Sequence, residues 1–301
     1  MLRGLETFCR VVEAGSLNEA AERMHLSQPA VSKQIHVLEG DLGVQLLVRG
    51  SRGVDLTPVG RQVYRMARRA VAAMHGCRRI AASYSDPDRG RLVVAAGLTL
   101  TLFTLPPVIQ AFRRQVPGVR LEVVTGDSRE SLARLLAFEA DVAFVTSPSP
   151  HPEVQAVPLF VDPLVVAAAA GVHLPGRVAD LGGQTLISFK HGSGLREYVD
   201  QVLESQGAQP EVVMEFDSIE AIKTMVALEL GLALLPWSAV RDDVGAGRLQ
   251  AARLVDWPDA GRTVTLLRRK AGLRSGPVGP FTSISRAVLA GRGRPDPTSE
   301  R

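Results

Sequence analysis

The chain has 301 residues, 46% hydrophobic and 22% charged, a length that suggests about two domains and a composition that excludes a disordered or fibrous class. The net charge is +4, and the whole excess precedes residue 91: residues 1–90 hold 13 Lys and Arg against 9 Asp and Glu, and the remainder holds 22 against 22. A basic leading segment on a neutral remainder points to a polyanionic partner for the first part alone, nucleic acid before membrane. The two cysteines, Cys9 and Cys77, are too few for a disulfide framework and suit reduced thiols in the cytoplasm. The first residues show no apolar signal core, and the longest apolar run, LVVAAAAGV, is far short of the roughly 18 residues of a membrane span, so neither export nor membrane insertion is expected.

In chain order, residues 2–14 set Leu5, Phe8 and Val12, flanked by Cys9 and Val11, at helical spacing, and Gly15 provides a stop. Ser16 is placed to cap a second helix over 17–24, with Glu19 completing a capping box and Ala20, Ala21 and Met24 forming a small inner face. After His25-Leu26, a turn reading for which a structural role is expected of His25, Ser27 is a second N-cap and Pro29 falls in the first turn of a third helix running to Glu39. Val31, Ile35 and Leu38 cluster on one side of that helix. Pro29, Ser32, Lys33 and His36 lie on the other, with Gln28 at the leading end, and this polar face carries no carboxylate before Glu39.

The run LLVRGSRGVDLT reads as a hairpin with Gly50-Ser51-Arg52-Gly53 at its tip. From Pro58 a long helix is predicted, with a coiled-coil seam of Val63, Met66, Ala70, Ala73, Cys77, Ile80 and Tyr84; with no adjacent core for that stripe, it predicts a dimer. Its arginines, Arg61 to Arg79, are read first as a solvated face. Ser85 to Gly90 reads as a linker. Beyond it strands and helices alternate: RLVVAAG, LPPVIQAFRRQV, VRLEVVTG, SRESLARLLAFE and DVAFVTSP, then LVVAAAAG, TLISFK, GLREYVDQVLESQG, VVMEFD, SIEAIKTMVALELG and LALLP. This order predicts parallel pairing in a doubly wound α/β arrangement of two lobes with a cleft between them. GRGRPDPTSER reads as a disordered tail.

The stretch LETFCRVVEAGSLNEAAERMHLSQPAVSKQIHVLEGDLGVQLLVRGSRGVDLTPVG resembles the winged helix-turn-helix of the LysR-type transcriptional regulators, and the resemblance runs on through a linker helix and a two-lobed effector domain similar to periplasmic binding proteins. It implies a multidomain α and α/β protein: a DNA-binding domain at 1–58, a dimerisation helix and hinge at 59–90, an effector domain at 91–290 and a tail at 291–301. Lobe I is expected at 91–162 plus a C-terminal return, and lobe II at 163–266. By resemblance, the third helix is the recognition helix in the major groove. Ser27, Gln28 and Pro29 then meet DNA at its leading end, Ser32, Lys33 and His36 along it, and Arg49, Arg52 and Thr57 at the wing. The chemistry agrees, since a Gln amide pairs with adenine, Lys reaches guanine or phosphate, and a helix N-terminus favours phosphate. Capping alone also accounts for Ser27 and Pro29.

For the effector the resemblance implies a small molecule, suited to an anion, held between the lobes. The contacts it implies are Gly97, Leu98, Thr99 and Thr101 after the first strand, Asp127-Ser128 and Thr146-Ser147 at two further strand ends, and Ser193, Arg196, Ser218 and Pro236 in lobe II. Gly97 stands where the family more usually has a hydroxyl. Arg196 reads equally as one half of an ion pair with Glu197 or Asp200, and Ser218 as an N-cap. Partners implied are promoter DNA, a homodimer extending to a homotetramer, and RNA polymerase. No cofactor, metal or catalytic residue is expected: the six His are scattered, and neither Gly126-Asp127-Ser128 nor Gly192-Ser193-Gly194 has the nucleophile-turn spacing. A cytoplasmic small-molecule-binding protein or a hydrolase-like enzyme is the alternative class. With no cysteine after Cys77, a disulfide switch in the effector half is excluded.

Overall fold

The structure, a computed structural model, describes residues 1–50, 53–85, 90–146, 148, 150–258, 262–270 and 276–292. Ser51-Arg52 at the wing tip, most of the predicted linker, Ser147 and the tail from 293 lie outside the described residues. The chain forms two compact units, one built mainly from residues up to Ser85 and the other from the chain beyond.

In the first unit, α1 (Leu2–Ala14), α2 (Leu17–Arg23) and α3 (Gln28–Leu42) precede a hairpin of β1 (Leu47–Gly50) and β2 (Gly53–Leu56), then the long α4 (Pro58–Ser85). Their shared core is Phe8, Val11, Ala20, Ala21, Val31, Ile35, Leu38 and Leu46. Gly15 ends α1 in the left-handed conformation, which glycine adopts without a Cβ clash. Ser16 caps α2 by accepting from Asn18 N at 3.2 Å. The predicted capping box does not close, because Glu19 turns instead to Arg23 one turn on. His25 is left-handed (φ 53°) at the bend between α2 and α3. The third helix runs three residues past Glu39, to Leu42; Gly40 is tolerated within it, and Gly43, left-handed, ends it.

The predicted seam of α4 needs a correction. Its leading half does have an adjacent core: Ala67 is 2% exposed, and Val63, Tyr64 and Val71 pack on the same cluster. Tyr64 meets Phe8 edge-on at 6.1 Å. Met66 and Cys77, by contrast, point out of this core and are exposed. The stripe that folds the helix onto its own head therefore lies beside one on which Met66 and Cys77 stay exposed.

The second unit has two lobes. Lobe I begins with β3 (Gly90–Ala96), a short α5 (Leu98–Phe103), α6 (Leu105–Gln115), β4 (Val119–Thr125), α7 (Ser128–Leu136), β5 (Val142–Val145) and β6 (Val154–Asp162). Lobe II holds β7 (Leu164–Ala169), β8 (Thr185–Phe189), α8 (Gly194–Ser205), β9 (Glu211–Phe216), α9 (Ile219–Ala227), β10 (Ala233–Pro236), α10 (Trp237–Gly245) and β11 (Leu249–Ala252). The chain then returns as β12 (Arg262–Arg269) and α11 (Val278–Leu289). The lobe I sheet has the order β4-β3-β5-β12-β6. Its β4-β3-β5 part is parallel, whereas β12 is antiparallel to both β5 and β6, so the sheet is mixed rather than wholly parallel. Since β12 already pairs in lobe I from Arg262, the return precedes the boundary at 266 expected from the sequence. In lobe II β8 and β9 are parallel, while β7 is antiparallel to β10 and β11. Lobe I is filled by Phe112, Phe144 and Phe281, stacked edge-to-face at 5.1 and 6.2 Å, and lobe II by a separate aliphatic cluster around β7.

Candidate functional site

The leading end of α3 stands clear of the rest of its unit. Ser27, Gln28, Pro29, Lys33 and His36 are exposed and Ser32 half-buried. Ser27 occupies the N-cap position without a side-chain hydrogen bond; Pro29 has no N–H and Ala30 N donates to the Ser27 carbonyl at 3.0 Å, so the Gln28 N–H and the positive dipole end of α3 are what the helix start offers an anion. The opposite face fixes the helix: Val31, Ile35 and Leu38 are buried, and the Thr7 hydroxyl donates to Gln34 Oε1 at 2.5 Å. Glu39, the first carboxylate on the helix, accepts from Leu46 N at 2.7 Å and Leu47 N at 3.1 Å. It thus ties α3 to the start of β1.

Thr57 has a different place from that expected. Its hydroxyl donates to the Gln45 carbonyl at 2.9 Å and accepts from Gly60 N at 2.8 Å, so it caps α4 and pins it to the segment before β1. Arg49 lies on β1 and Arg52 outside the described residues.

In the second unit the expected effector residues gather at strand carboxyl ends, where α/β sheets take their ligands. Gly97 follows β3, Asp127 and Ser128 follow β4, and Thr146 follows β5. These three ends are joined: Gly126 N donates to the Ala96 carbonyl at 3.1 Å, and Thr146 N to Ser128 Oγ at 3.3 Å. Leu98 is half exposed and Thr99 half-buried on α5, while the Thr101 hydroxyl bonds back to the Gly97 carbonyl at 3.0 Å. Asp127 and Glu130 cap α7 reciprocally. The end of α5 reaches lobe II, where the Lys223 ammonium lies 4.9 Å over the Phe103 ring.

In lobe II, Ser193 caps α8 by accepting from Arg196 N at 3.1 Å. Arg196 is 7% exposed and fully engaged, donating to both Asp200 oxygens and to Glu215 Oε1 at 2.7 Å each, and to the Phe189 carbonyl at 3.0 Å. Burial opposes its charge, but those hydrogen bonds hold its pKa above the ordinary value and that of Glu215 below. The structure thus gives Arg196 the ion-pair role, with Glu215 as a second partner that sequence spacing did not reveal. Ser218 starts α9 without a side-chain cap bond, and Pro236 is buried at the end of β10. Where the chain passes between lobes, Asp162, 2% exposed, accepts from Ser238 N at 3.0 Å and Ser238 Oγ at 2.6 Å. This fixes the start of α10 to the end of β6.

Among the described residues no group of three or more His, Cys, Asp or Glu is placed to hold a metal, and no helix is long and apolar enough to cross a membrane. In the two serine turns, the Ser128 and Ser193 oxygens accept backbone N–H groups.

Comparison with known proteins decides the family. Residues 2–61 match the profile of the bacterial regulatory helix-turn-helix protein, lysR family, and residues 85–290 match the LysR substrate binding domain. The chain belongs to the LysR family of transcriptional regulators. YeiE of Escherichia coli K12, an uncharacterized HTH-type transcriptional regulator, is 34% identical over 251 residues, 82% of this chain and 84% of that protein. A full-length OxyR variant from Pseudomonas aeruginosa shares the fold with a TM-score of 0.72 at 26% identity, covering 96% of this chain and 94% of that one. Full-length CbnR complexed with its target DNA gives 0.54 at 27% identity, covering 96% and 99%. This LysR regulator is accordingly a DNA-binding protein with an effector-binding domain, and not an enzyme.

Two polar groups of the LysR effector domain escaped the sequence reading. Asp162 hides in VPLFVDP, where only the hinge crossing makes its burial meaningful. Arg262 opens the strand RTVTLLRR, which carries arginines at both ends, and alternation alone does not say which one meets Thr146.

Proposed function

We propose that this regulator works in the cytoplasm, reads promoter DNA with the leading end of α3 and braces itself with the wing, and changes its grip on DNA when a small molecule enters between lobes I and II. The observation that carries the DNA half is the state of Gln28, Lys33 and His36. All three are exposed, and no hydrogen bond or ion pair engages them among the described residues, on a helix whose other face is locked into the core. Gln28 is assigned to a base edge, Lys33 to guanine or phosphate, and Arg49 with Arg52 to the backbone or minor groove. Ser27, Pro29 and Ser32 approach the phosphates, and Thr57 acts by holding α4 in place.

The exposed Met66 and Cys77 beside the folded stripe of α4 support a homodimer through this helix, and the family supports its pairing into a homotetramer, with RNA polymerase as a further partner. Effector binding acts by population shift between lobe arrangements, and so changes the spacing of the reading heads. Gly97, Leu98, Thr99, Ser128, Thr146 and Ser218 are assigned to the effector side of the cleft. Selection of binding sites from a random DNA pool tests the reading. Two related half-sites are expected, with Gln28→Ala relaxing choice at one base pair of each; a pool that enriches no motif contradicts it. Sedimentation should show Met66→Glu losing the dimer.

A further inference from the structure

The buried ionisable groups of the second unit are nearly all paired. Arg196 has Asp200 and Glu215, Lys223 has Asp243 and Glu220, and Asp162 has Ser238. Arg262 differs. It opens β12 at the point where the chain re-enters lobe I, opposite Asp162 in the strand register. Its Nη2 donates to Thr146 Oγ1 at 3.0 Å, and among the described residues no carboxylate lies within ion-pairing distance of it. Asp162, the nearest by register, already takes both Ser238 donors. Burial pushes the Arg262 guanidinium below its ordinary value, against the opposing pull of Asp162 and of Tyr198 on α8. A cation in that state is stabilised by an anion that presents two oxygens to its planar fork.

The surroundings fit such a guest. Thr146 stands at the carboxyl end of β5 and is joined through Ser128 Oγ to the first residue of α7, whose dipole also favours negative charge. The exposed carboxylates at this rim, Asp127 and Glu130, are turned onto each other's backbone N–H. From lobe II, Tyr198 packs edge-on against Trp257 at 6.2 Å, and the Trp257 Nε1–H is a buried donor with no acceptor among the described residues.

We propose that Arg262 is the charge anchor of the effector site, and that the effector is a small anion, a carboxylate or a tetrahedral oxyanion, seated between Arg262 with Thr146 on lobe I and Tyr198 on lobe II. This rests on the reading that the cleft takes an effector, with the anionic class that the family resemblance implies, and adds its main contact. The selecting residue then sits on the hinge strand rather than after the first strand, where Gly97 offers no hydroxyl.

The test titrates the full-length protein with sodium sulfate, sodium phosphate and disodium succinate, and with uncharged succinamide and dimethyl sulfone, at constant ionic strength in chloride. Tryptophan fluorescence and melting temperature are followed. Sulfate or phosphate against succinate separates the two anion classes, and Trp257 lies beside the site as reporter. At least one anion should bind saturably, the uncharged compounds should not, and Arg262→Gln should weaken binding at least about tenfold. Arg262→Lys should retain part of the affinity and Thr146→Val lose part, while Arg268→Gln, on the same strand but bonded to Gln155, should bind like the parent. Apo melting temperatures establish that the variants fold; if Arg262→Gln does not, Arg262→Lys and Thr146→Val carry the comparison. Unchanged binding by the Arg262 and Thr146 variants, equal binding of an uncharged compound, or no saturable anion binding overturns the proposal. Anisotropy on labelled DNA separates this result from the broader one. Anion binding through Arg262 without any change in DNA affinity upholds the anchor and refutes effector control. An uncharged ligand that shifts DNA affinity independently of Arg262 does the reverse.

Discussion

Gly60→Ala places one methyl group where the wing and the linker helix meet. A Cβ on Gly60 would lie 2.1 Å from the Leu46 carbonyl oxygen and 3.0 Å from Thr57 Oγ1, so the first turn of α4 must retreat by roughly 1 Å to reach ordinary contact. That carbonyl accepts from Thr57 N at 3.0 Å and Thr57 Oγ1 at 3.2 Å. Loss of both bonds costs about 2 kcal/mol, strain adds about 1 kcal/mol, and alanine's better helix propensity returns about 1 kcal/mol. The net loss is about 2 kcal/mol. Gly40→Ala is the matched control, because a Cβ there meets nothing within 4 Å, and it should stabilise α3 by about 0.5–1 kcal/mol. Hydrogen exchange of α1–α3 peptides in the full-length protein reads the head by itself. Gly60→Ala should speed the slowest amides about 30-fold, and Gly40→Ala should slow them. Equal or same-sign effects at the two glycines would refute the close approach of Leu46 to α4.

Phe281→Ala, which empties the centre of the lobe I aromatic cluster, should cost about 3–5 kcal/mol in the effector domain while the head's exchange protection stays unchanged. Asp243 is half-buried, and that burial alone would raise its pKa, but hydrogen bonds from Lys223 and Arg248 hold it below the ordinary value. A depressed folded pKa gives stability that is present above the unfolded value and lost as pH falls through the folded one. Urea midpoints should therefore fall on acidification below about pH 4, and Asp243→Asn should flatten that dependence while costing about 3 kcal/mol at neutral pH. Burial, with Glu13 adding to it, pushes the Cys9 thiol up to about 12. In Cys77→Ser protein the remaining thiol should therefore react with a disulfide reagent only after unfolding.

The head was legible almost residue by residue, because its signals are local: Gly15, Ser16, Ser27 and Pro29 each act within one turn of where they stand. The exceptions there are long-range. Thr57 has the look of a wing contact until Gln45 and Gly60 are seen to occupy it, and the leading half of α4 has the look of a free seam until α1 is packed against it. In the effector domain the strand and helix order was readable from periodicity, yet β6, α10, β11, β12 and α11 were not. β12 is antiparallel and belongs to a sheet whose other strands all end at or before Asp162, far ahead of its start at Arg262. Arg196 and Arg262 show the same limit at the site. The Gly-Ser-Gly-x-Arg turn drew attention to an arginine that carboxylates already hold, whereas the arginine with no ion-paired carboxylate among the described residues lies in an unremarkable strand and is singled out only by Thr146 and Asp162 across the hinge.

The measurement closest to the central claim is fluorescence anisotropy of the full-length protein on a selected half-site pair against scrambled DNA, over a salt series, with Gln28→Ala and Lys33→Ala in parallel. The account predicts a preference of at least about a thousandfold for the selected DNA. Gln28→Ala should lose about 1–3 kcal/mol of that preference, and Lys33→Ala should weaken binding to both DNAs and make the salt dependence shallower if it contacts phosphate. Equal affinity for both DNAs, unaffected by either substitution, would contradict the assignment of α3 as the reading helix.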